Sequence, residues 1–151
     1  MLSGNGRLFT SGIDLSEILN FDLSSDDDIA KKAKAIFRYA QDWQSCVTDM
    51  ERCRKPVIAA VHNACIGGGV DFITATDIRV CTRDAYFQVK EVDLGLAADI
   101  GTLQRLPKIV GSQSLVRDLC YTCRKMGAEE AERCGFVSSV YEDKDRSATG
   151  S

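Results

Sequence analysis

Three acidic residues stand in otherwise apolar stretches of this 151-residue chain, close behind a run of three glycines at 67–69. Asp71 comes two residues after that run. Glu91 follows the segment AYFQVK, and Asp99 follows GLAA, a run without another polar side chain. Because apolar surroundings raise the pKa of a carboxyl group, such acids can carry protons near neutral pH. The three residues are therefore candidates for acid–base catalysis.

The glycine run lies between a strand-like segment, VIAAVH, and a helix-like segment, GGVDFITATD. Glycine lets the backbone approach a ligand closely, and the start of a helix adds a partial positive charge. The run matches neither the dinucleotide fingerprint G-x-G-x-x-G nor the phosphate-binding loop G-x-x-x-x-G-K-[ST]. An oxyanion hole for a carbonyl oxygen fits better. A tight strand-to-helix turn packed against a neighbour explains the spacing equally well.

Two of the acids also have a purely structural interpretation. Asp99 precedes IGTLQRL and is suited to cap a helix there, which is the favoured interpretation of this residue taken alone. Glu91 is compatible with a solvated strand end, as are its neighbours Lys90 and Asp93. Asp71 is expected in the first turn of the helix that follows the glycines, beside the site for a negatively charged oxygen.

A long amphipathic helix is predicted from about Ser25 to Cys53. Its apolar residues recur at spacings of three and four, which is typical of one buried helix face. Ser25 is the expected N-cap, and the acids at 26–28 suit the first turn of a helix. The apolar positions are Ile29, Ala33, Ile36, Phe37, Ala40, Trp43, Val47 and Met50.

Strand-like and helix-like segments alternate after this helix, which predicts an α/β fold. Strands are expected at 57–62, 78–82, 85–89 and 136–141, and helices at 68–77, 100–111, 112–122 and 127–135. No repeat or linker divides the chain. We expect one core over 1–141 and a polar, disordered tail over 142–151.

The composition narrows the classes of ligand and partner. The formal net charge of −3 does not predict nucleic-acid binding, and no apolar run approaches the roughly 20 residues of a membrane span. Most of the seven cysteines fall in apolar or helical patterns and are expected to be reduced thiols. His62 is the only histidine and is expected to be a structural hydrogen-bonding group. Because Cys120 and Cys123 form the only C-x-x-C pair, no metal site is expected.

Three segments of the chain resemble the enoyl-CoA hydratase/isomerase (crotonase) superfamily. They are FTSGIDL (9–15), KPVIAAVHNACIGGGVD (55–71) and FQVKEVDLGLAADIGTLQRLPKIVG (87–111). Many members of this superfamily have acids at the positions of Asp71 and Glu91 but a neutral residue, often glycine, at the position of Asp99. An acid in GLAAD is characteristic of the dienoyl-CoA isomerase branch of the superfamily. The chain resembles this branch most.

The resemblance implies a spiral of repeated ββα units. The family domain is longer than this chain, so we expect a partial spiral that lacks the N-terminal strands and the C-terminal helical region. In the family those helices cover the pocket and build the oligomer. The resemblance suggests a homotrimer or hexamer, and it suggests the mitochondrion or the peroxisome as the location, although no targeting signal is readable in the chain.

The resemblance also implies a reaction, in which a 3,5-dienoyl-CoA becomes a 2,4-dienoyl-CoA during degradation of unsaturated fatty acids. The substrate is an acyl-CoA thioester and no cofactor is expected, because CoA is part of the substrate. Glu91 and Asp99 are expected to move protons at C2 and C6, in an order left open, while Asp71 supports them. Backbone N–H groups of Ser11 and Gly68 are expected to form the oxyanion hole. The expected acyl-CoA contacts are Ser11, Gly12, Ile13, Asp14, Leu15 and Gly68.

Two other functions are compatible with the sequence. One is a chain without catalytic competence that associates with full-length subunits, since parts of the family domain are not represented. The other is a simple enoyl-CoA hydratase, against which the acid at position 99 argues.

Overall fold

The computed structural model of the chain describes residues 1–14, 16 and 28–143. Within them seven strands are found: β1 (Leu2–Ser3), β2 (Ile58–Val61), β3 (Ala64–Ile66), β4 (Ile78–Thr82), β5 (Tyr86–Gln88), β6 (Met126–Gly127) and β7 (Ser139–Tyr141). The five α-helices are α1 (Ile29–Glu51), α2 (Gly68–Thr74), α3 (Thr102–Val110), α4 (Gln113–Thr122) and α5 (Ala128–Arg133). A 3₁₀ turn covers Val92–Leu94. The predicted α/β class is confirmed.

The strands form two small sheets that place the glycine turn between them. The first sheet has the order β1-β2-β4-β7, and all its strands are parallel. The second has the order β3-β5-β6, with β3 parallel to β5 and β6 antiparallel to it. Since β2 is followed at once by β3 and then by α2, the chain passes from one sheet to the other just before the glycines.

The core consists of apolar side chains from both sheets and from α2 to α5. Phe87 on β5 and Phe136 before β7 meet edge to face, with ring centroids 4.9 Å apart. Ile73 of α2 and Leu106 of α3 are almost fully buried in the same cluster. This packing fixes α2, which carries Asp71, and α3, which begins three residues after Asp99.

Helix α1 confirms the predicted helix but not its predicted burial. Its N-cap is Asp28, whose side chain accepts a hydrogen bond from the N–H of Ala30 at 3.0 Å, while the expected N-cap Ser25 lies outside the described residues. Val47 is 1% exposed, but Ile29 is 84% exposed and Phe37 is 62% exposed. The apolar periodicity therefore predicted the helix correctly. The prediction that all of its apolar positions are buried is wrong.

The reason is that α1 contacts the rest of the described chain through its C-terminal half. There the Arg105 guanidinium on α3 donates hydrogen bonds to Glu51, at 2.7 Å, and to the Thr48 hydroxyl, at 3.3 Å. The N-terminal half extends past this contact, and its residues Ile29 and Phe37 remain in solvent. Among the described helices, none is long and apolar enough to cross a bilayer. Most of the predicted tail, residues 144–151, lies outside the described residues.

Candidate active site

The glycine turn connects β3 to α2 and requires glycine at its first position. Gly67 has φ +53°, a left-handed conformation that side chains disfavour. Its N–H donates to the carbonyl of Gln88 at 2.8 Å, and its carbonyl accepts from the N–H of Val70 at 2.7 Å. A Cβ at this position would lie 3.2 Å from Oε1 of Glu91. The turn therefore holds Glu91 close to the start of α2.

Residues 10–13 lie against this turn. Thr10 is bonded to the edge of β3, because its N–H donates to Ala64 at 3.0 Å and its carbonyl accepts from Ile66 at 3.2 Å. A Cβ at Gly68 would come within 2.9 Å of Cγ1 of Ile13, and Gly12 has φ +101°. Glycine at 12 and at 68 is what allows the two backbones to approach this closely.

A cavity of about 700 Å³, which we call the glycine cavity, opens where the two segments meet. Among the described residues, no acceptor contacts the backbone N–H of Ser11 or of Gly68. Both residues line the cavity, and Glu91 lines it as well. The predicted contacts that line it are Ser11, Gly12, Ile13, Asp14 and Gly68, whereas Leu15 lies outside the described residues.

Asp14 lies at the edge of the glycine cavity and folds its own loop. Its carboxylate accepts hydrogen bonds from the hydroxyl of Ser16 at 2.7 Å and from the N–H of Ser16 at 2.9 Å. These bonds lower the pKa of the Asp14 carboxyl group. The side chain is thus occupied in a local turn, which is a common use of Asp in loops.

A second cavity, of about 390 Å³, contains all three acids, and we call it the acid cavity. Asp71, Glu91 and Asp99 share it with Ile13, Ile36, Tyr39, Ala40, Trp43, Leu96, Ala97 and Ile100. Glu91, Ile13 and Leu96 line both cavities, so the two spaces are adjacent. The sequence prediction that these carboxyl groups share an apolar slot therefore agrees with the geometry.

Glu91 is half-buried at the junction of the two cavities. Burial raises the pKa of its carboxyl group, and the nearby charge of Asp71 raises it further. Its Oε2 atom is buried without a hydrogen-bond partner in the described part of the chain. The alternative of a solvated strand end is thus wrong for Glu91. The interpretation as a solvated strand end is correct for the neighbouring residues Lys90 and Asp93, which form an exposed ion pair.

Asp71 is 1% exposed and contacts the start of α3. Its Oδ1 atom accepts a hydrogen bond from the backbone N–H of Thr102 at 2.6 Å, across 31 residues of sequence. Burial raises the pKa of Asp71, and the hydrogen bond from Thr102 opposes that shift. Asp71 therefore satisfies one of the N–H groups that a helix start leaves without an intrahelical partner.

Asp99 lies on the loop before α3 and is exposed at the mouth of the acid cavity. It is not the N-cap of α3, because that position is Gly101, which offers no side chain. The structural alternative for Asp99 is therefore wrong: Asp71, not Asp99, accepts the hydrogen bond from Thr102. No hydrogen bond joins the Asp99 carboxyl group to another described residue, so it is available to a ligand.

Two features of the site had no clear signal in the sequence. Tyr39 and Trp43 of α1, with ring centroids 6.0 Å apart, form a wall of the acid cavity, although Trp43 was expected in the core. Gln44 and Gln104 donate hydrogen bonds to the backbone carbonyl of Asp99.

His62 is a structural hydrogen-bonding group as predicted, with Nε2 2.9 Å from the carbonyl of Gly6.

The arrangement suits proton transfer on an acyl group. Two residues whose backbone N–H groups have no acceptor among the described residues line one cavity, and carboxyl groups in apolar surroundings line the next. A carbonyl oxygen at the N–H groups would place the adjacent carbons beside the acids. In the described ranges, no three metal-ligating side chains converge as an ion site requires.

Comparison with protein families agrees with this geometry. The family model for enoyl-CoA hydratase/isomerase matches residues 1–147. The chain belongs to this family. Similar curated proteins include the mitochondrial Δ(3,5)-Δ(2,4)-dienoyl-CoA isomerase of Rattus norvegicus, which is 56% identical over 96% of this chain and 45% of its own length. The peroxisomal enzyme of the same name from Arabidopsis thaliana is 49% identical over 95% of this chain and 52% of its own length.

Solved structures of the family share the fold. A Thermobifida fusca YX protein of the enoyl-CoA hydratase type, in complex with acetoacetyl-CoA, superposes with a TM-score of 0.84 at 28% identity. The match covers 98% of this chain and 58% of that protein. The chain thus spans about half the length of the relatives that it matches.

Proposed function

We propose that this chain provides the catalytic groups of a Δ3,5-Δ2,4-dienoyl-CoA isomerase. The observation that supports this most directly is the position of Asp99, which faces the same apolar cavity as Glu91 and Asp71. Relatives that are 49% and 56% identical to the chain are named as enzymes of this activity. Oxidation of unsaturated fatty acids is therefore the proposed metabolic setting.

The first step creates negative charge on the thioester oxygen. Removal of a proton from C2 gives a dienolate, in which the charge is delocalised onto the carbonyl oxygen. The N–H groups of Ser11 and Gly68 are the proposed donors to that oxygen, because both face the glycine cavity. One such donor is typically worth about 3 kcal/mol in the transition state. Since the thioester itself accepts the charge, the proposed reaction uses no cofactor.

The two proton carriers are assigned by the cavities that they line. Glu91 is the proposed base at C2, because its carboxylate lies against the glycine turn. Asp99 lines only the acid cavity and is the proposed acid at C6, four carbons further along the acyl chain. The electron pair released at C2 moves through the conjugated system, and the proton delivered at C6 completes the shift. A hydratase acts at C2 and C3, so it has no use for an acid at the far position.

The proposed location follows the relatives, and the proposed assembly follows the resemblance to the family. Those named here are described as mitochondrial in the rat and peroxisomal in the plant, and we propose one of these compartments for this chain. A homotrimer or hexamer is the proposed assembly.

A second function is that of a chain without catalytic competence that associates with full-length subunits. The exposed apolar residues Ile29 and Phe37 on α1 favour it.

Turnover of a 3,5-dienoyl-CoA, followed by ultraviolet absorbance, tests the proposal. We expect the purified chain to form the 2,4-dienoyl product, and the Asp99→Asn variant to lose about 100-fold or more in kcat, because one proton carrier is removed. The Asp49→Asn variant on the exposed face of α1 is the matched control and should keep the parental rate. Equal turnover by the parent and Asp99→Asn would refute the role of Asp99. A folded parent without turnover would favour the second function.

A further inference from the structure

The segment that presents Asp99 has little regular structure. Residues 95–101 lie between the 3₁₀ turn and α3, and Leu96, Ala97 and Asp99 are exposed. A backbone without helix or strand hydrogen bonds is free to move unless other groups hold it. The position of the Asp99 carboxyl group therefore depends on a few specific contacts.

Two glutamines from different helices make such a contact. Nε2 of Gln44 on α1 and Nε2 of Gln104 on α3 each donate a hydrogen bond of 3.1 Å to the carbonyl oxygen of Asp99. A carbonyl oxygen has two lone pairs, so these two donors fill its capacity. Because the carbonyl belongs to the same residue as the acid, fixing its plane also restricts the direction of the side chain.

The other bonds of this segment hold different residues. The N–H of Leu96 donates to the carbonyl of Glu91 at 3.0 Å, and the carbonyl of Ala98 accepts from the N–H of Leu103 at 3.2 Å. At the far end, Thr102 is held by Asp71. None of these bonds reaches the peptide group that follows Asp99.

We propose that Gln44 and Gln104 are positioning residues, which aim the Asp99 carboxyl group into the acid cavity. The inference rests on the proposed isomerase function, because the two glutamines are assigned an effect on Asp99 as the acid at C6. An acid must stay within about 0.5 Å of its productive position to be effective. A small displacement can lower a rate about 100-fold. Neither glutamine contacts the acid cavity itself.

Gln44 and Gln104 are not the only link between α1 and α3. The Arg105 side chain links the same two helices through Glu51 and Thr48. The removal of the glutamine donors should therefore leave the two helices joined. Variants at these positions are expected to fold, and their rates can be compared with the rate of the parent.

The experiment compares Gln44→Met, Gln104→Met and the double variant with the parent chain. We expect kcat to fall about threefold in each single variant and about tenfold or more in the double variant, with KM changed less than about twofold. Gln41→Met and Gln113→Met are the controls, since both glutamines are exposed and their side chains make no hydrogen bond with another described residue. A double variant with the parental kcat would overturn the proposal, as would a rise in KM alone.

Hydrogen exchange gives a readout that does not need turnover. The amides of residues 99–102 should exchange about fivefold faster in the double variant than in the parent and the controls, while α4 remains unchanged. If the parent folds but shows no turnover, the isomerase function fails on its own. The exchange rates then decide whether the glutamines hold this segment, and unchanged rates would refute that.

Discussion

At the scale of residues, the three acids differ in their surroundings, and this gives them different uses. Asp71 is buried and bonded to α3, Glu91 is half-buried with one free oxygen, and Asp99 is exposed with a free carboxyl group. A group that exchanges protons with a ligand needs a free oxygen and access to the cavity. All three acids line the acid cavity and have an oxygen without a partner among the described residues, but Asp71 is 1% exposed and its Oδ1 is bonded to Thr102. Glu91 and Asp99 are more accessible and are the better proton carriers, whereas Asp71 suits support of its neighbours.

The raised pKa of Glu91 predicts how stability changes with pH. Its carboxyl group binds a proton more tightly in the folded chain than in the unfolded chain, where the ordinary value is 4.5. The associated stability is present below that value and is lost as the pH rises through the higher folded pKa. Asp71, whose pKa is also raised, acts in the same direction.

We therefore expect Glu91→Gln to reduce the fall in the free energy of unfolding between about pH 5 and about pH 8, because glutamine has no proton to lose. Urea unfolding at the two pH values measures this difference. Glu129→Gln, an exposed acid outside both cavities, is the control and should behave like the parent. A parental pH dependence in Glu91→Gln would show that burial of this carboxyl group is not the cause.

At the scale of elements, the bond between Asp71 and Thr102 joins α2 to α3. Thr102 is fully buried, so its N–H has no access to water if the acceptor is removed. Loss of a capping acceptor typically costs about 1–2 kcal/mol. The acid that supports the site therefore also holds the helix that follows Asp99.

We expect Asp71→Ala to lower the free energy of unfolding by about 1–2 kcal/mol, because the Thr102 N–H loses its acceptor. Asp71→Asn should lose much less, since its amide oxygen replaces Oδ1. Urea unfolding at neutral pH compares the two variants with the parent. Equal losses in both would mean that the charge of Asp71, and not its hydrogen bond, stabilises the junction.

The elements also show what the sequence could predict. Strand β4 has the predicted bounds, 78–82, α4 begins one residue later than predicted, and β5 is one residue shorter at each end. Such agreement is expected because local apolar patterns determine these elements. The cap of α3 was assigned to Asp99 as the nearest acid, but a residue 31 positions away provides it. Gln44 was missed for the same reason, since it bonds a carbonyl 55 residues away. Gln104 is only five residues from Asp99, but a bond to a backbone carbonyl does not depend on the side chain of the accepting residue and leaves no pattern in the sequence.

At the scale of the whole molecule, the described part of the chain leaves much of the apolar face of α1 uncovered. The burial of an amphipathic face depends on a partner surface, and the periodicity of one helix does not show whether that partner is present. In the described part of the chain, Ile29 and Phe37 stay in solvent, and the chain spans about half the length of its relatives. Exposed apolar groups of this size favour association.

We therefore expect the isolated chain to self-associate through α1, and sedimentation velocity to show species larger than the 16.5 kDa monomer. The double variant Ile29→Lys/Phe37→Lys should shift the population toward the monomer, because charged side chains would have to be desolvated in any contact that covers them. Neither residue lines the glycine cavity or the acid cavity, so both cavities should be retained. A matched variant with two lysines at the neutral residues Gln41 and Ser45, two other exposed positions of α1, adds the same charge and is the control for it. Monomer formation in both double variants would attribute the effect to charge, and a monomeric parent would show that the exposed face of α1 does not drive association.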